Sequence, residues 1–271
     1  MFRAAVTALL SATILSSPAI ASEVSVSGST SVSRVMEVLA EDFNNDHPDT
    51  YVAVQSVGST AGITLLKKGV VDIGMSSRYL TEREQDESIS TKTIALDGLA
   101  VVVNPENNVA NVTREQLFDI YKGKITNWKE LGGADQKIAV VTREASSGSR
   151  YSFESLLGLT KIVNDRMVSD ISHDNLVVNS NSMVKTIVNH NKQAIGFIST
   201  GSVDRSVKAI NFEGVAPTNE SIASRKYELS RPFILLYHTE ELDEKATEFL
   251  NYVTTNKAAA LITEYGYTPA K

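Results

Sequence analysis

The chain contains no cysteine, so it forms no disulfide and offers no thiolate to a metal or to redox chemistry. Histidine is sparse. His47, His173, His190 and His238 stand apart, mostly beside polar residues, and suggest neither a triad nor a metal cluster. Trp128 is the single tryptophan and reads as a packing residue. Basic residues are outnumbered, 26 against 32 acidic, for a formal net charge of -6. That balance argues against nucleic acid, which needs a basic face. It does not argue against a small buried anion, because local dipoles and one guanidinium govern such a site, while net charge acts mainly on solubility and steering. The N-terminal apolar stretch, Ala4 to Ile14, is too short and too broken by Ser and Thr to span a membrane. With Arg3 near its start and Ala19-Ile20-Ala21 behind it, it reads as an export signal removed after Ala21. With no Cys at the cleavage site, no lipid anchor is indicated. The expectation is a soluble, exported, periplasmic protein that acts as a monomer.

What the sequence does contain is a local design used three times. Ile138-Ala139-Val140-Val141 reads as a buried strand, followed by Thr142-Arg143-Glu144-Ala145-Ser146-Ser147-Gly148-Ser149-Arg150 and then by Tyr151, Phe153, Leu156 and Leu157 at helical spacing. A helix beginning near Ser147 aims its unpaired first-turn N–H groups and its positive dipole end into that loop, which is the makings of an anion site. Arg143 adds a forked, permanently charged donor suited to a tetrahedral oxyanion. A Ser-capped helix with a solvated Arg is the plainer alternative for this loop alone. Val24 to Ser27 leads in the same way into Gly28-Ser29-Thr30-Ser31, and Tyr51 to Val54 leads into Gly58-Ser59-Thr60-Ala61-Gly62. Three such junctions suggest several helix N-termini converging on one negative ligand.

The 271 residues are enough for one large or two medium domains. Strands and helices alternate along the chain: helical spacing at Val32, Val35, Met36, Leu39 and Phe43, a strand at Val70 to Met75, and strong strand character from Ile94 to Asn104. Thr81 with Glu84 marks a capping box for a surface helix, and Thr113 with Gln116 marks a second. Residues 158–175 read as irregular or helical, 213–230 as loop, and Phe233 to Tyr237 as a strand. The alternation predicts an α/β fold with mostly parallel sheets flanked by helices, in two lobes with a ligand cleft between them. The predicted division is 22–101 plus 235–271 for lobe 1 and 102–234 for lobe 2, joined by two crossing strands.

The residues resemble the periplasmic phosphate-binding proteins of bacterial phosphate ABC transporters, in their shorter form. The resemblance covers nearly the whole chain after the signal. It rests on Gly28-Ser29-Thr30-Ser31, Gly58-Ser59-Thr60-Ala61-Gly62, Asp72-Ile73-Gly74, Tyr121-x-Gly123-Lys124-Ile125-x-x-Trp128, Arg143-Glu144-x-x-Ser147-Gly148-Ser149-Arg150, Ala194-Ile195-Gly196-Phe197 and Gly266-Tyr267-Thr268-Pro269. It implies a type II two-lobed binding protein that captures inorganic phosphate by hydrogen bonds alone, without metal or cofactor, and delivers it to a membrane permease. It also implies ligand contacts from Thr30, Ser31 and Ser59 on one side and Arg143, Ser147, Gly148 and Ser149 on the other. Ser77 stands where many family members carry a carboxylate that accepts the proton of phosphate and repels sulfate. Weaker exclusion of sulfate is therefore expected. Glu144 is the nearest substitute carboxylate, and Arg78 faces either the cleft or solvent.

Two other readings fit the sequence less well. The same fold could serve another oxyanion such as sulfate or molybdate, or an exported sensor or adhesion protein. A serine hydrolase is suggested by Ser182-Met183-Val184-Lys185, an S-x-x-K match, but no S-D-N or K-T-G partner accompanies it. No G-x-S-x-G elbow is present, and the expectation is a protein without catalytic residues.

Overall fold

The computed structural model describes residues 22–270. The export segment 1–21 and its cleavage after Ala21 lie outside the described residues. In chain order the elements are β1 (Ser22–Gly28), α1 (Thr30–Asp46), β2 (Thr50–Ser56), α2 (Ser59–Lys67), β3 (Ile73–Ser76), β4 (Ile89–Val103), β5 (Asn111–Val112), α3 (Arg114–Lys122), β6 (Ala139–Arg143), α4 (Gly148–Leu157), β7 (Thr160–Val163) and β8 (Arg166–Ser169). There follow β9 (Leu176–Val178), α5 (Asn181–His190), β10 (Ala194–Ser199), β11 (Lys208–Ala209), β12 (Asn211–Phe212), α6 (Asn219–Ala223), β13 (Ser230–His238), α7 (Glu244–Tyr252), α8 (Asn256–Glu264) and β14 (Thr268–Pro269).

One sheet runs through the molecule in the order β2-β1-β3-β13-β4-β10-β6-β9. Its outer parts are parallel: β1 with β2 and β3, and β6 with β10 and β9. The middle is antiparallel, because β13 returns between β3 and β4 and β10 runs against β4. β4 is the key strand. Its first part, Ile89 to Gly98, pairs with β13, and its last part, Leu99 to Val103, pairs with β10. A single 15-residue strand thus belongs to both halves of the fold.

Apolar packing splits at the same place. One core gathers Val24, Val26, Val35, Met36, Leu39 and Phe43 with Ile94, Ala95, Phe233, Leu235 and Phe249. Another gathers Leu99, Val101, Val103, Trp128, Phe153, Ile195, Phe197, Tyr227 and Leu229. α1 shows why its residues form a helix facing the first core. Ser29 caps it by accepting from the N–H groups of Ser31 and Val32, and the buried positions follow the helical repeat. It ends at Asp46, ahead of Pro48, because the residue before a proline is pushed out of the helical region. Trp128 is buried as a packing residue, and its Nε1–H donates to the Gln193 carbonyl at 2.9 Å.

Three local expectations are revised. Thr81–Glu84 forms only a turn: Glu84 does accept from the Thr81 N–H, but its carboxylate is also taken by Arg78. Residues 160–169 form the β7–β8 hairpin, whose turn residues Asn164 and Asp165 adopt positive φ. The segment 213–230 contains the short α6, capped by Thr218.

Phe43 stacks on His47 with ring centroids 3.9 Å apart and meets Phe249 edge-on at 5.2 Å. Phe43→Ala should lower the unfolding free energy by about 3–5 kcal/mol, read as an earlier midpoint in guanidinium with little change in slope.

Candidate functional site

The three strand–loop–helix junctions meet where the two cores face each other. Ser59 begins α2, Thr30 begins α1 and Gly148 begins α4. A helix leaves its first N–H groups without an internal partner. Among the described residues no acceptor is found for the backbone N–H of Thr30, Ser59, Gly148 or Ser149. All four belong to helix first turns that share one buried region.

The side chains around them form a cluster that spans both halves. Ser31 Oγ lies 3.1 Å from Ser149 Oγ. Arg143 Nη2 donates to Thr30 Oγ1 at 3.0 Å. The Ser77 N–H donates to Ser59 Oγ at 3.1 Å, and Ser29 Oγ donates to Ser77 Oγ at 2.9 Å. Close approach is enforced at Gly148. A Cβ there would sit 2.2 Å from Ser59 Oγ and 2.6 Å from Ser77 Oγ, so only glycine fits. Gly58, at φ 93°, likewise lies against Ser146, and the Thr60 N–H donates across to the Ser146 carbonyl at 3.1 Å.

Every predicted residue is at or beside this cluster. Thr30, Ser31, Ser59, Ser77, Arg143, Gly148 and Ser149 form it directly. Ser147 takes the N-cap: its Oγ accepts from the Arg150 N–H and its own N–H donates to the Glu144 carbonyl, which leaves its hydroxyl proton to donate. Arg143 is fully buried. Its Nε donates to Glu144 Oε2 at 3.2 Å, and its Nη1 donates to Asn181 Oδ1 at 3.3 Å. Burial pulls this guanidinium below its ordinary value, while the Glu144 carboxylate opposes the shift. Glu144 is therefore a partner of Arg143. Arg78 is buried too, forked onto Glu84 at 2.6 and 2.7 Å and lying 4.8 Å from the Tyr151 ring centroid. It joins the closure surface through Thr60 Oγ1 at 3.1 Å.

Sequence reasoning missed three residues. Arg231, at the start of β13, donates to Ser149 Oγ at 2.8 Å and to Ser31 Oγ at 3.0 Å. Asp97, its register partner on β4, accepts from Arg231 Nε at 3.0 Å and Nη2 at 2.8 Å. Burial pushes the Asp97 carboxyl upward, against the pull of Arg231, Ser199 and Thr200. Asn181, at the start of α5, donates from Nδ2 to Ser31 Oγ at 3.0 Å. The available signal was a charge set inside an apolar run: Asp97 within Ile94 to Val103, and Arg231 ahead of Pro232 to Leu236. A charge buried in a sheet needs a partner, and these two are each other's.

Other features lack this donor character. A cavity of about 530 Å³ beside Tyr79 and Ile89 is lined by Asp86 and Glu87, and one of about 360 Å³ lies against Ile125 and Ile187. Neither contains a helix first turn from the three junctions. Lys185 of the S-x-x-K match is paired with Asp204.

A family model described as a PBP superfamily domain matches residues 15–257. The chain is 32% identical over 252 residues to the phosphate-binding protein PstS of Borreliella burgdorferi, covering 92% of this chain and 90% of that protein. It is similar to the crystal structure of an ABC-type phosphate transport receptor from Vibrio cholerae, at 63% identity and TM-score 0.78, covering 90% of this chain and 99% of the other. It is also similar to the phosphate-bound structure of an ABC transporter substrate-binding protein from Clostridium perfringens, at 37% identity and TM-score 0.86, covering 92% and 100%.

Gly148→Ala should hold the two halves apart, because the added methyl meets two hydroxyls at once. X-ray scattering should show a larger radius of gyration than the unaltered chain in the same buffer.

Proposed function

We propose that this chain, which belongs to the PBP superfamily and within it to the phosphate-binding proteins PstS, binds inorganic phosphate in the cleft between its lobes and delivers it to the permease of an ABC transporter. The observation that carries this reading is the convergence of unpaired first-turn N–H groups from α1, α2 and α4 beside the buried guanidinium of Arg143. Such groups attract a desolvated oxyanion by direct hydrogen bonds and by the aligned helix dipoles.

The residues assigned to the ligand are Thr30, Ser31, Ser59, Ser77, Arg143, Ser147, Gly148 and Ser149. Thr30, Ser59, Gly148 and Ser149 supply backbone N–H groups. The serines supply hydroxyls. Arg143 supplies charge and ties Thr30 of one lobe to its own lobe. A hydrogen bond to a charged group contributes about 1.5–3 kcal/mol net. Micromolar affinity needs about 8 kcal/mol, within reach of this many donors after ordering costs are subtracted.

The lobe division proposed from the sequence is 22–101 plus 235–271 against 102–234. The change of core between Ala95 and Leu99, and between Leu229 and Phe233, favours moving each boundary a few residues toward the N-terminus. The hinge then falls at Asp97–Leu99 and Leu229–Arg231. The protein acts outside the cytoplasmic membrane, after export and cleavage behind Ala21. It carries out no chemistry on its ligand.

Calorimetry on protein refolded free of carried-over ligand tests the assignment: phosphate should bind at micromolar concentration or tighter. Arg143→Ala should weaken binding more than Ser59→Ala, because it removes a full charge as well as donors; equal losses would contradict the role given to Arg143. Ser77 carries no charge to repel a fully ionised ligand. Excess sulfate should therefore displace phosphate measurably, and a phosphate isotherm untouched by sulfate would overturn this selectivity reading.

A further inference from the structure

Arg231 and Asp97 are an unusual pair to find at a hinge. Both are almost fully buried, at 3% and 0% exposure. A buried ion pair is weak support for stability, since well-packed apolar residues often do as well or better in its place. Its geometry suggests a different use. Asp97 is fully committed. One oxygen takes the fork of Arg231, and the other accepts from Ser199 Oγ at 2.8 Å, Thr200 Oγ1 at 2.9 Å and the Thr200 N–H at 3.1 Å. Arg231 is thereby held in one orientation, with its remaining N–H groups on Ser31 Oγ, Ser149 Oγ and, at 3.5 Å, the Ser77 carbonyl.

A serine hydroxyl has one proton and two lone pairs. Ser31 Oγ accepts from Arg231 Nη2 and from Asn181 Nδ2. The Asn181 amide is fixed in that sense, because its Oδ1 faces the donors Arg143 Nη1 and the Ser199 N–H. Both lone pairs of Ser31 are therefore filled, and its only remaining role is to donate. Ser31 therefore donates to Ser149 Oγ, 3.1 Å away, and Ser149 Oγ, accepting from Ser31 and from Arg231 Nη1, is filled in turn, so its proton is the one left to point outward.

We propose that Arg231, clamped by Asp97, is a positioning residue that locks Ser31 and Ser149 into a one-way donor chain ending on the ligand, so that the site favours oxyanions with fewer protons to give. The inference rests on the oxyanion reading of this cleft. It predicts that the dianion of phosphate, and sulfate, are preferred over the more protonated monoanion.

The test is calorimetry with phosphate across its second ionisation and with sulfate, on the unaltered chain, on Arg231→Met/Asp97→Asn and on Arg231→Lys. In the unaltered chain phosphate affinity should climb with pH. In the neutral pair, hydroxyls freed to turn and accept should flatten that climb, and sulfate should lose about tenfold more affinity than phosphate measured on the acidic side. Arg231→Lys keeps a cation beside Asp97 but cannot fork onto both serines. It should give an intermediate slope, and it carries the test if the neutral pair does not fold. Parallel losses for both ligands at every pH, with an unchanged slope, would overturn the inference alone. Binding of neither oxyanion by the unaltered chain would overturn the phosphate reading and this inference with it.

Discussion

A buried N–H group without an acceptor is costly, and among the described residues this fold brings four unpaired helix-start N–H groups together in and at the edge of a buried region. Leaving a buried donor unsatisfied costs about 1–3 kcal/mol, and more than nine in ten such groups in folded proteins find a partner. Thr30, Ser59, Gly148 and Ser149 escape that rule at one location. The sheet order explains how. Along the sheet β1 and β2 run one way and β6 runs the other, and each feeds a helix whose first turn lies at the gap between the cores. The glycines at 58 and 148 remove the side chains that would otherwise keep these turns apart. An oxyanion is the species whose charge and acceptor count repay that arrangement.

The legible part of this site was the part written in local chemistry. Helix caps and small-residue turns are decided within a few residues, so Gly28 to Ser31, Gly58 to Gly62 and Arg143 to Ser149 could be read as helix entries and compared with one another. Their convergence rested on the strand alternation, which the sheet bears out in its parallel outer parts. What could not be read was pairing at long range. Arg231 reaches Ser31 across 200 residues and Asp97 across 134, and Asn181 reaches Ser31 across 150. No local rule links such positions. The antiparallel return of β13 beside β4 sets the first two opposite each other in register, and that return is a property of the whole topology. The hairpin at 160–169 was missed for a more ordinary reason: its exposed strands, with Ile162 and Met167 facing solvent, lack the clean alternation of a half-buried strand.

The carboxylates near the cleft are already engaged. Glu144 is held by Arg143, Glu84 by Arg78 and Asp97 by Arg231. Each guanidinium is thus balanced by a neighbour, which limits the cost of burying it. The charge of a bound anion is then shared between Arg143 and the surrounding backbone dipoles and hydroxyls, while the pairings keep the three cations from repelling one another in the absence of ligand. Among the described residues, this commitment leaves no free carboxylate beside the cluster to receive a proton from the ligand. Discrimination by protonation must come from the orientation of neutral groups, where a rotated hydroxyl changes a donor into an acceptor.

Closure draws on contacts that never touch the ligand. The Thr60 N–H reaches the Ser146 carbonyl, Ser152 Oγ donates to the Ser77 carbonyl at 3.1 Å, Arg83 Nη2 donates to the Asp165 carbonyl at 2.9 Å, and Arg78 lies against Tyr151. Each of the three hydrogen bonds is worth on the order of 0.5–1.5 kcal/mol net, so these contacts add to the stability of the closed arrangement. A ligand shifts a two-state equilibrium only by its differential affinity for the two states. The smaller the gap it must close, the more of its binding energy is expressed as affinity. The same contacts oppose release, because opening must break them whether or not the cleft holds an anion. Emptying the site must therefore also break these contacts.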